Sequence, residues 1–394
     1  MNIKCKNCGG ILEFDPKTQM LFCGHCHSSF PIESASGEHK TIFGSSHFSS
    51  DDMLANELMD VDIYTCASCG AELFINDVEL ATYCVYCGHP SIAYSRTEKR
   101  IKPQYIIPFK VSKEEALAAI REKFVQSEYV DWADKFFVPE LLRGIYVPYG
   151  MFCYHINGKA LIKGVPYSPK GNSQQQHQQY FYRKVFSRIG HIPVDASFRF
   201  PNKSADRLEP FSDKDLTEFD SRFLSGYYAD LRDEDFLQLK SRADMRAKKI
   251  YTARMLSIPM VDHTKIVREH MEMECVKEIY ALLPVWFLIM EHNGEKYTIL
   301  VNGQTKKIVG TLPASRKKMI FFFVLTSVLS FCILCPSFFV MLVSGYFFVP
   351  ILSILLGIPL LNYLGFRNSQ KYIRSKKLTT SEKMKKYAKE RQEY

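Results

Sequence analysis

Hydrophobic and polar positions change their period along the chain, and each change predicts a different element. Residues 110–124 place apolar side chains at helical spacing behind Ser112, with Glu115 three residues later, which predicts a capped amphipathic helix. Residues 143–164 and 282–313 alternate apolar and polar positions, which predicts antiparallel hairpins. Their predicted turns are Asn157-Gly158, Asn293-Gly294 and Asn302-Gly303. With the acidic and aromatic residues 215–251 predicted as helical, 101–315 is expected to be one mixed α+β domain.

The pattern then changes to an uninterrupted apolar segment. Residues 319–366 contain no charged side chain, and their 48 positions exceed twice the length of about 20 residues that one membrane span needs. They predict a two-helix transmembrane hairpin with its turn at Ser344-Gly345. Basic residues flank both ends, so the positive-inside rule places the N-terminal part and the tail 367–394 in the cytoplasm.

Net charge supports the same prediction. The chain carries +9 overall, yet residues 316–394 hold 13 Lys and Arg against 3 Asp and Glu. The excess positive charge therefore lies around the apolar segment, as expected for a multi-pass cell-membrane protein facing anionic lipid. The basic tail is either a helix on the headgroups or a solvated helix that only fixes topology.

Eight of the twelve cysteines form two sets with the same internal spacing. In each set two Cys-x2-Cys pairs are separated by fourteen residues, and the second set follows the first at a constant offset of 61. The sets are Cys5, Cys8, Cys23 and Cys26, then Cys66, Cys69, Cys84 and Cys87. The repeat predicts two zinc ribbons, over 1–32 and 61–98, joined by a flexible Ser-rich linker over 33–60 with one short helix near 51–59.

Four thiolates suit a structural Zn²⁺ site, because they fill its tetrahedral shell and leave no position for substrate. A glycine after the second cysteine of a pair permits a left-handed turn; Gly9, Gly70 and Gly88 provide it, whereas the remaining pair has His27. Iron in a rubredoxin-like site is the alternative metal. The start of the chain lacks the pattern of a signal peptide, so we expect these thiols in a reducing compartment.

Several other residues could bind metal or react, but each has a simpler interpretation. His25, His27 and His89 lie beside the pairs and are predicted to be surface or neighbouring residues rather than ligands. Cys332 and Cys335 lie inside a predicted span, and Cys153 and Cys275 are single; all four are predicted to be packing residues.

Neither catalysis nor nucleic-acid binding is indicated by the motifs. No phosphate-binding loop, HExxH or GxSxG pattern occurs, so we predict that the protein is not an enzyme. Residues 1–100 hold 7 basic and 13 acidic side chains, which opposes phosphate binding by the ribbons. Protein recognition is therefore the preferred role of the ribbons.

The order of these parts resembles a family of Gram-positive bacterial zinc-ribbon membrane proteins, often labelled TFIIB-type zinc ribbon or primosomal-helicase-like. Paired ribbons are followed by YIIPF, FFVPELLRGIYVPYGMF and then LLPVW…VNGQT…VGTLP, the most specific part. The family has Gly-Lys after NGQT where this chain has Lys306-Lys307. The resemblance implies companions of the SPFH or phage-shock type.

We therefore expect a multidomain α+β protein: a membrane-anchored adaptor whose ribbons and middle domain recruit cytoplasmic protein partners. Two alternatives remain open, a nucleic-acid-binding ribbon protein of the replication type and a membrane-associated enzyme of unrecognised type.

Overall fold

The computed structural model describes residues 3–32, 57–75, 83–90, 92–125, 141–166, 178–199, 202–292 and 295–310, and ten single helical positions between 320 and 367. The strands in these residues are β1 (Leu12–Asp15), β2 (Met20–Cys23), β3 (Ser29–Pro31), β4 (Leu58–Cys66), β5 (Glu72–Ile75), β6 (Ile92–Ile101), β7 (Tyr105–Ile106), β8 (Arg143–Pro166), β9 (Gln179–Asp195), β10 (Thr217–Glu218), β11 (Tyr228–Ala229), β12 (Val261–His292), β13 (Glu295–Asn302) and β14 (Ile308–Gly310). The α-helices are α1 (Lys113–Val125), α2 (Asn202–Leu208) and α3 (Phe236–Leu256).

The first ribbon is a small antiparallel sheet in the order β1-β2-β3. Its β1–β2 turn forms because the Asp15 carboxylate accepts the backbone N–H groups of Lys17 at 3.1 Å and Thr18 at 3.2 Å. Alternation along the two strands buries Leu12, Phe14 and Leu21 on one side. That side packs into the same hydrophobic cluster as Phe109 and other residues of the middle domain.

A second, eleven-stranded sheet contains the remaining strands, β4 to β14, and so includes those of the second ribbon. Its main path runs β10-β7-β12-β8-β11-β5-β4-β6, with β9 beside β8 and β13–β14 beside β12. The two-residue strand β11 is the junction: Tyr228 pairs antiparallel with Ile75 of the ribbon and parallel with Ile145 of β8. β4 begins at Leu58, within the predicted linker, and residues 33–56 lie outside the described residues.

The longest strands, β8 and β12, run far beyond the centre of the sheet. Asn157-Gly158 is not a turn, because β8 continues through it and pairs with β12 and β9 on both sides. The glycine is needed there for close packing: a Cβ on Gly158 would lie 2.5 Å from the Tyr251 hydroxyl. The β12–β13 hairpin is confirmed, since His292 pairs with Glu295, and β13 and β14 are joined by the predicted turn after Asn302.

The two largest helices pack against these sheets. α1 starts with the predicted capping box: Glu115 N–H donates to Ser112 Oγ at 3.3 Å, and Ser112 N–H donates to Glu115 Oε2 at 3.0 Å. α3 covers one face of the extended part of β8, β9 and β12 through Leu239, Ala243 and Tyr251. The described residues are mostly β, so the expectation of a mixed α+β fold is corrected.

The prediction of a two-span transmembrane hairpin over 319–366 is wrong. Among the residues that the structure describes, no helix is long and apolar enough to cross a bilayer. The longest, α3, has 21 residues but includes seven charged side chains, which a membrane interior disfavours. Within the predicted hairpin only single positions, such as Phe321 and Val324, are described as helical and exposed; the rest, like nearly all of 367–394, lies outside the described residues. The predicted multi-pass membrane localisation is corrected on the same finding.

Candidate metal centres

Each of the four Cys-x2-Cys pairs folds into the same tight loop. The first cysteine donates its backbone N–H to the carbonyl five residues later, and its own carbonyl accepts the N–H four residues later. In the first pair, the Cys5 N–H donates to the Gly10 carbonyl at 2.7 Å, and the Gly9 N–H donates to the Cys5 carbonyl at 2.9 Å. The other loops repeat them at Cys23, Cys66 and Cys84 with lengths between 2.8 and 3.0 Å. The chain therefore directs both thiols of each pair to one side.

The residue after each pair adopts a left-handed backbone conformation, as predicted for the three glycines. Gly9, Gly70 and Gly88 have φ of 76°, 67° and 73°, and His27 has φ of 59°. His27 thus takes the same conformation although its Cβ makes it unfavourable. Its imidazole lies beside the Phe22 ring, with the ring centroids 5.9 Å apart.

The two loops of each ribbon bring four sulfur atoms together, as the repeat predicts. Cys5 Sγ lies 3.5 Å from Cys26 Sγ, and Cys8 Sγ lies 3.6 Å from Cys23 Sγ. The second ribbon matches it, with 3.6 Å in both corresponding pairs, Cys66–Cys87 and Cys69–Cys84. Within each quartet all four sulfur atoms lie within 4.8 Å of one another.

These spacings fit one tetrahedral ion. Zinc–sulfur bonds of about 2.3 Å separate tetrahedral ligands by about 3.8 Å, close to the sulfur–sulfur distances of 3.5 and 3.6 Å found here. All eight thiols are free of disulfide bonds. Each quartet can therefore hold a metal ion with a complete shell of sulfur ligands.

A polar group beside the first quartet favours the ionised form of one ligand. Ser28 Oγ lies 3.3 Å from Cys26 Sγ and accepts a hydrogen bond from Asn7 Nδ2 at 2.8 Å. Hydrogen bonding to the Ser28 side chain and backbone lowers the pKa of Cys26 to about 6. A thiolate is the form that binds metal, and such outer hydrogen bonds orient ligands.

The second quartet lies deeper in the molecule than the first. Cys66, Cys84 and Cys87 are all buried, whereas Cys8 of the first ribbon is exposed. Tyr86, between two ligands, donates its hydroxyl to Asp230, which follows the junction strand β11. Ser197 donates to the same carboxylate oxygen at 2.6 Å. The second metal loop is thus fastened to the large sheet by a buried hydrogen-bond network.

The remaining candidate residues lie outside both quartets. His25, His27 and His89 are absent from the two groups of possible ligands found in the described residues. Burial raises the pKa of the Cys153 and Cys275 thiols, which disfavours the nucleophilic thiolate form. Cys332 and Cys335 lie outside the described residues.

A cleft of about 630 Å³ is lined by residues of both the first ribbon and the middle domain. Phe14, Tyr227 and Trp286 lie at its base and are almost fully buried. Its charged rim consists of Glu13, Asp15, Lys17, Lys113, Glu114 and Arg143. The sequence could not predict this cleft, because its residues come from five separate parts of the chain, 13–22, 112–114, 142–144, 226–228 and Trp286.

A buried ion-pair network lies between α3 and the end of β9. The Arg242 guanidinium contacts Asp195 Oδ1 at 3.1 Å and Glu234 Oε2 at 2.6 Å, and both carboxylates are almost fully buried. Burial raises the pKa of Asp195 to about 7, although Arg242 opposes the shift. The network fixes the helix to the sheet, and no spacing in the sequence predicts these partners.

Comparison with known proteins leaves the function open. No family model matches the chain, and no solved structure matches it. Over 331 residues the chain is 29% identical to a protein of Bacillus subtilis (strain 168) with the name uncharacterized protein YdjG, covering 81% of this chain and 92% of that protein. That name states no activity, so the resemblance to zinc-ribbon proteins and to their SPFH or phage-shock companions stays a prediction.

Proposed function

We propose that this is a non-enzymatic, zinc-stabilised binding protein that holds a segment of a protein partner in the cleft beside its first ribbon. The observation that carries the proposal is the pair of closed four-cysteine quartets. Each supplies a complete ligand shell, so the bound ion stabilises the fold and leaves no open coordination position. Zinc is preferred to iron because a structural role needs no redox chemistry.

The first ribbon needs such stabilisation because it contributes a wall of the cleft. Three short strands bury little apolar surface, and small metal-bound modules depend on the ion to fold. Phe14 N–H donates to the Ser225 carbonyl at 2.9 Å, and Gln19 Nε2 donates to the Phe109 carbonyl at 2.8 Å. Binding of metal therefore keeps this wall in position against the middle domain.

The composition of the cleft suits a peptide with an apolar anchor and charges of both signs. Trp286 donates its indole N–H to the Val111 carbonyl at 2.9 Å, so its polar group is already satisfied. The partly exposed Phe22 ring supplies apolar surface inside the charged rim, an arrangement typical of protein interfaces. Protein partners are thus better matched than a uniformly charged ligand.

Two carboxyls at the cleft, Asp15 and Glu114, have pKa values shifted away from those that catalysis near neutral pH requires. Burial opposes ionisation of Asp15, yet hydrogen bonds from Thr18 and Lys17 outweigh it and lower its pKa. Hydrogen bonds from its own backbone N–H and from Ser112 lower the pKa of Glu114. A general acid or base works best with a pKa near the operating pH, which these groups lack.

Site-specific photocrosslinking in cells tests the proposal. A photoreactive phenylalanine analogue at Phe22, in the cleft, should capture a defined protein. The matched control is the same analogue at Leu237, which is 70% exposed on α3 away from the cleft. Capture should disappear when Cys8→Ser removes a ligand of the first quartet. Equal capture at both positions, or the absence of capture at Phe22, would refute the proposal.

A further inference from the structure

The extended parts of β8, β9 and β12 form a blade with two different faces. α3 covers one face, burying Tyr154, Ile156 and Ile162. On the opposite face, no other element among the described residues packs over the side chains. We call this the open face. It is formed by His155, Asn157, Lys159, Leu161 and Lys163 of β8; Tyr180, Tyr182, Lys184, Phe186 and Arg188 of β9; and Lys265, Arg268, His270, Glu272 and Glu274 of β12.

Strand register sets the composition of this face. Directly paired residues of antiparallel strands point to the same side. Leu161 pairs with Tyr182, and two residues along the strands Lys159 pairs with Lys184. Across the other edge of β8, Leu161 pairs with Arg268. On this face of β9, Lys184 therefore lies between Tyr182 and Phe186, and basic side chains of β8 and β12 lie beside them.

The aromatic residues are unusually exposed. Tyr180, Tyr182 and Phe186 are 64%, 70% and 59% exposed. Large apolar side chains gathered on one surface indicate a binding site more often than isolated ones do. Arg188 lies over the Phe186 ring at 5.7 Å from its centroid, which shows that this ring presents its face to a planar cation.

The charge of the open face is positive. It carries six Lys and Arg residues and two Glu, and the Glu residues lie toward the base of the blade opposite His155 and Asn157. Among the described residues, no carboxylate forms an ion pair with any of the six. A ligand with repeated negative charges would complement this surface.

We propose that the open face binds single-stranded nucleic acid, with bases stacked on Tyr182 and Phe186 and phosphates beside Lys159, Lys184 and Arg268. Aromatic platforms interleaved with basic side chains are the features used by proteins that bind single strands without sequence preference. The site is separate from both ribbons, whose acidic surroundings oppose phosphate binding. An anionic lipid surface fits less well, because Lys184 lies between Tyr182 and Phe186 and interrupts the apolar patch.

Fluorescence anisotropy with the zinc-loaded full chain tests this site. The probes are labelled twelve-nucleotide single-stranded DNA and RNA of mixed sequence, compared with heparin and with vesicles containing anionic lipid. Tyr182→Ala combined with Phe186→Ala should weaken oligonucleotide binding on the order of 100-fold, since each lost stack reduces affinity by about tenfold. Tyr94→Ala is the matched control, because Tyr94 is an aromatic residue 58% exposed on β6, outside the open face.

Charge variants separate base stacking from attraction to any polyanion. Lys159→Gln with Lys184→Gln should reduce the slope of log affinity against log salt by about 1.4, or about 0.7 for each lost phosphate contact. Lys99→Gln on β6 should leave the slope unchanged. Binding to heparin that equals oligonucleotide binding and is insensitive to the aromatic variants would overturn the proposal, as would binding to vesicles alone or no oligonucleotide binding at low salt. Crosslinking at Phe22 should be the same in all these variants, so this site and the cleft fail or succeed separately.

Discussion

The left-handed residue after each cysteine pair allows a quantitative test of the first metal centre. Gly9 has φ of 76°, and a Cβ placed on it would have no neighbour within 4 Å. Gly9→Ala therefore introduces backbone strain without a clash. The strain of about 1–2 kcal/mol is partly offset by about 0.4–1 kcal/mol from the stiffer unfolded chain. We expect a net destabilisation of about 1 kcal/mol.

The reverse substitution is available in the same ribbon at His27, which has φ of 59°. His27→Gly should relieve about 1 kcal/mol of the same strain. It also removes the contact with the Phe22 ring, which contributes about 0.5 kcal/mol. The net stabilisation is then about 0.5 kcal/mol.

Both changes should be measurable as zinc affinity, because folding of a small metal-bound ribbon is coupled to binding of the ion. At 1.4 kcal/mol per factor of ten, Gly9→Ala should weaken the first site about fivefold and His27→Gly should strengthen it about twofold. Competition with a chromophoric chelator measures both. Gly24→Ala is the control: Gly24 also has open space around it but no positive φ, so affinity should not fall.

The direction in which His27→Gly changes zinc affinity tests whether backbone conformation, and not the imidazole, determines the effect. If His27→Gly weakened the site by tenfold or more, the imidazole would be holding the metal or a ligand, contrary to its position outside the quartet. If Gly9→Ala and Gly24→Ala had equal effects, backbone conformation would not be the determinant of these loops.

The remaining predictions concern stability. Arg242→Ala should lower the free energy of unfolding by about 3–5 kcal/mol in urea titrations, since it leaves the buried Asp195 and Glu234 without their cation; Lys240→Ala, which breaks a more exposed pair with Asp244, should cost about 0.5 kcal/mol or less. Burial raises the pKa of Asp195 to about 7 from 3.8, so the folded state binds this proton more tightly than the unfolded state does. The stability that this proton binding contributes is lost as pH rises toward 7. The stability of the wild type relative to Asp195→Asn should therefore decline from pH 5.5 to 7 and stay level above it; a constant difference in melting temperature would contradict this. Cys66→Ser and Cys8→Ser should each remove one zinc per chain by elemental analysis, but only Cys66→Ser should lower the melting temperature of the large sheet, because Cys66 is buried in its core and Cys8 is exposed.

Local signals predicted local structure well. The cysteine spacing, the glycines after the pairs and the Ser112–Glu115 box each act within a few residues, and the structure has the corresponding loops and cap. The prediction of a turn at Asn157-Gly158 was wrong, because an Asn-Gly dipeptide occurs in hairpin turns and also where a strand closely approaches a helix. Only the position of Tyr251, more than ninety residues away, distinguishes the two.

Long-range pairing explains most of what the sequence could not show. β11 lies in a segment predicted as helical, since two residues are too short to show an alternating pattern. α3 starts only at Phe236, where Asp235 accepts the Leu237 N–H. The open face likewise requires the register of three strands, because Arg268, Leu161 and Tyr182 become neighbours only when β8, β9 and β12 align.

A single strand connects both proposed binding surfaces. β8 lines the cleft at its start, through Arg143 and Gly144, and enters the open face at His155. At about 3.3 Å per residue, the eleven residues from Gly144 to His155 separate the two surfaces by about 36 Å. Substitutions this far apart with no shared partner have additive effects. Cleft variants should therefore change only the binding of the protein partner and open-face variants only the binding of the oligonucleotide, and combining the variants should leave each effect unchanged.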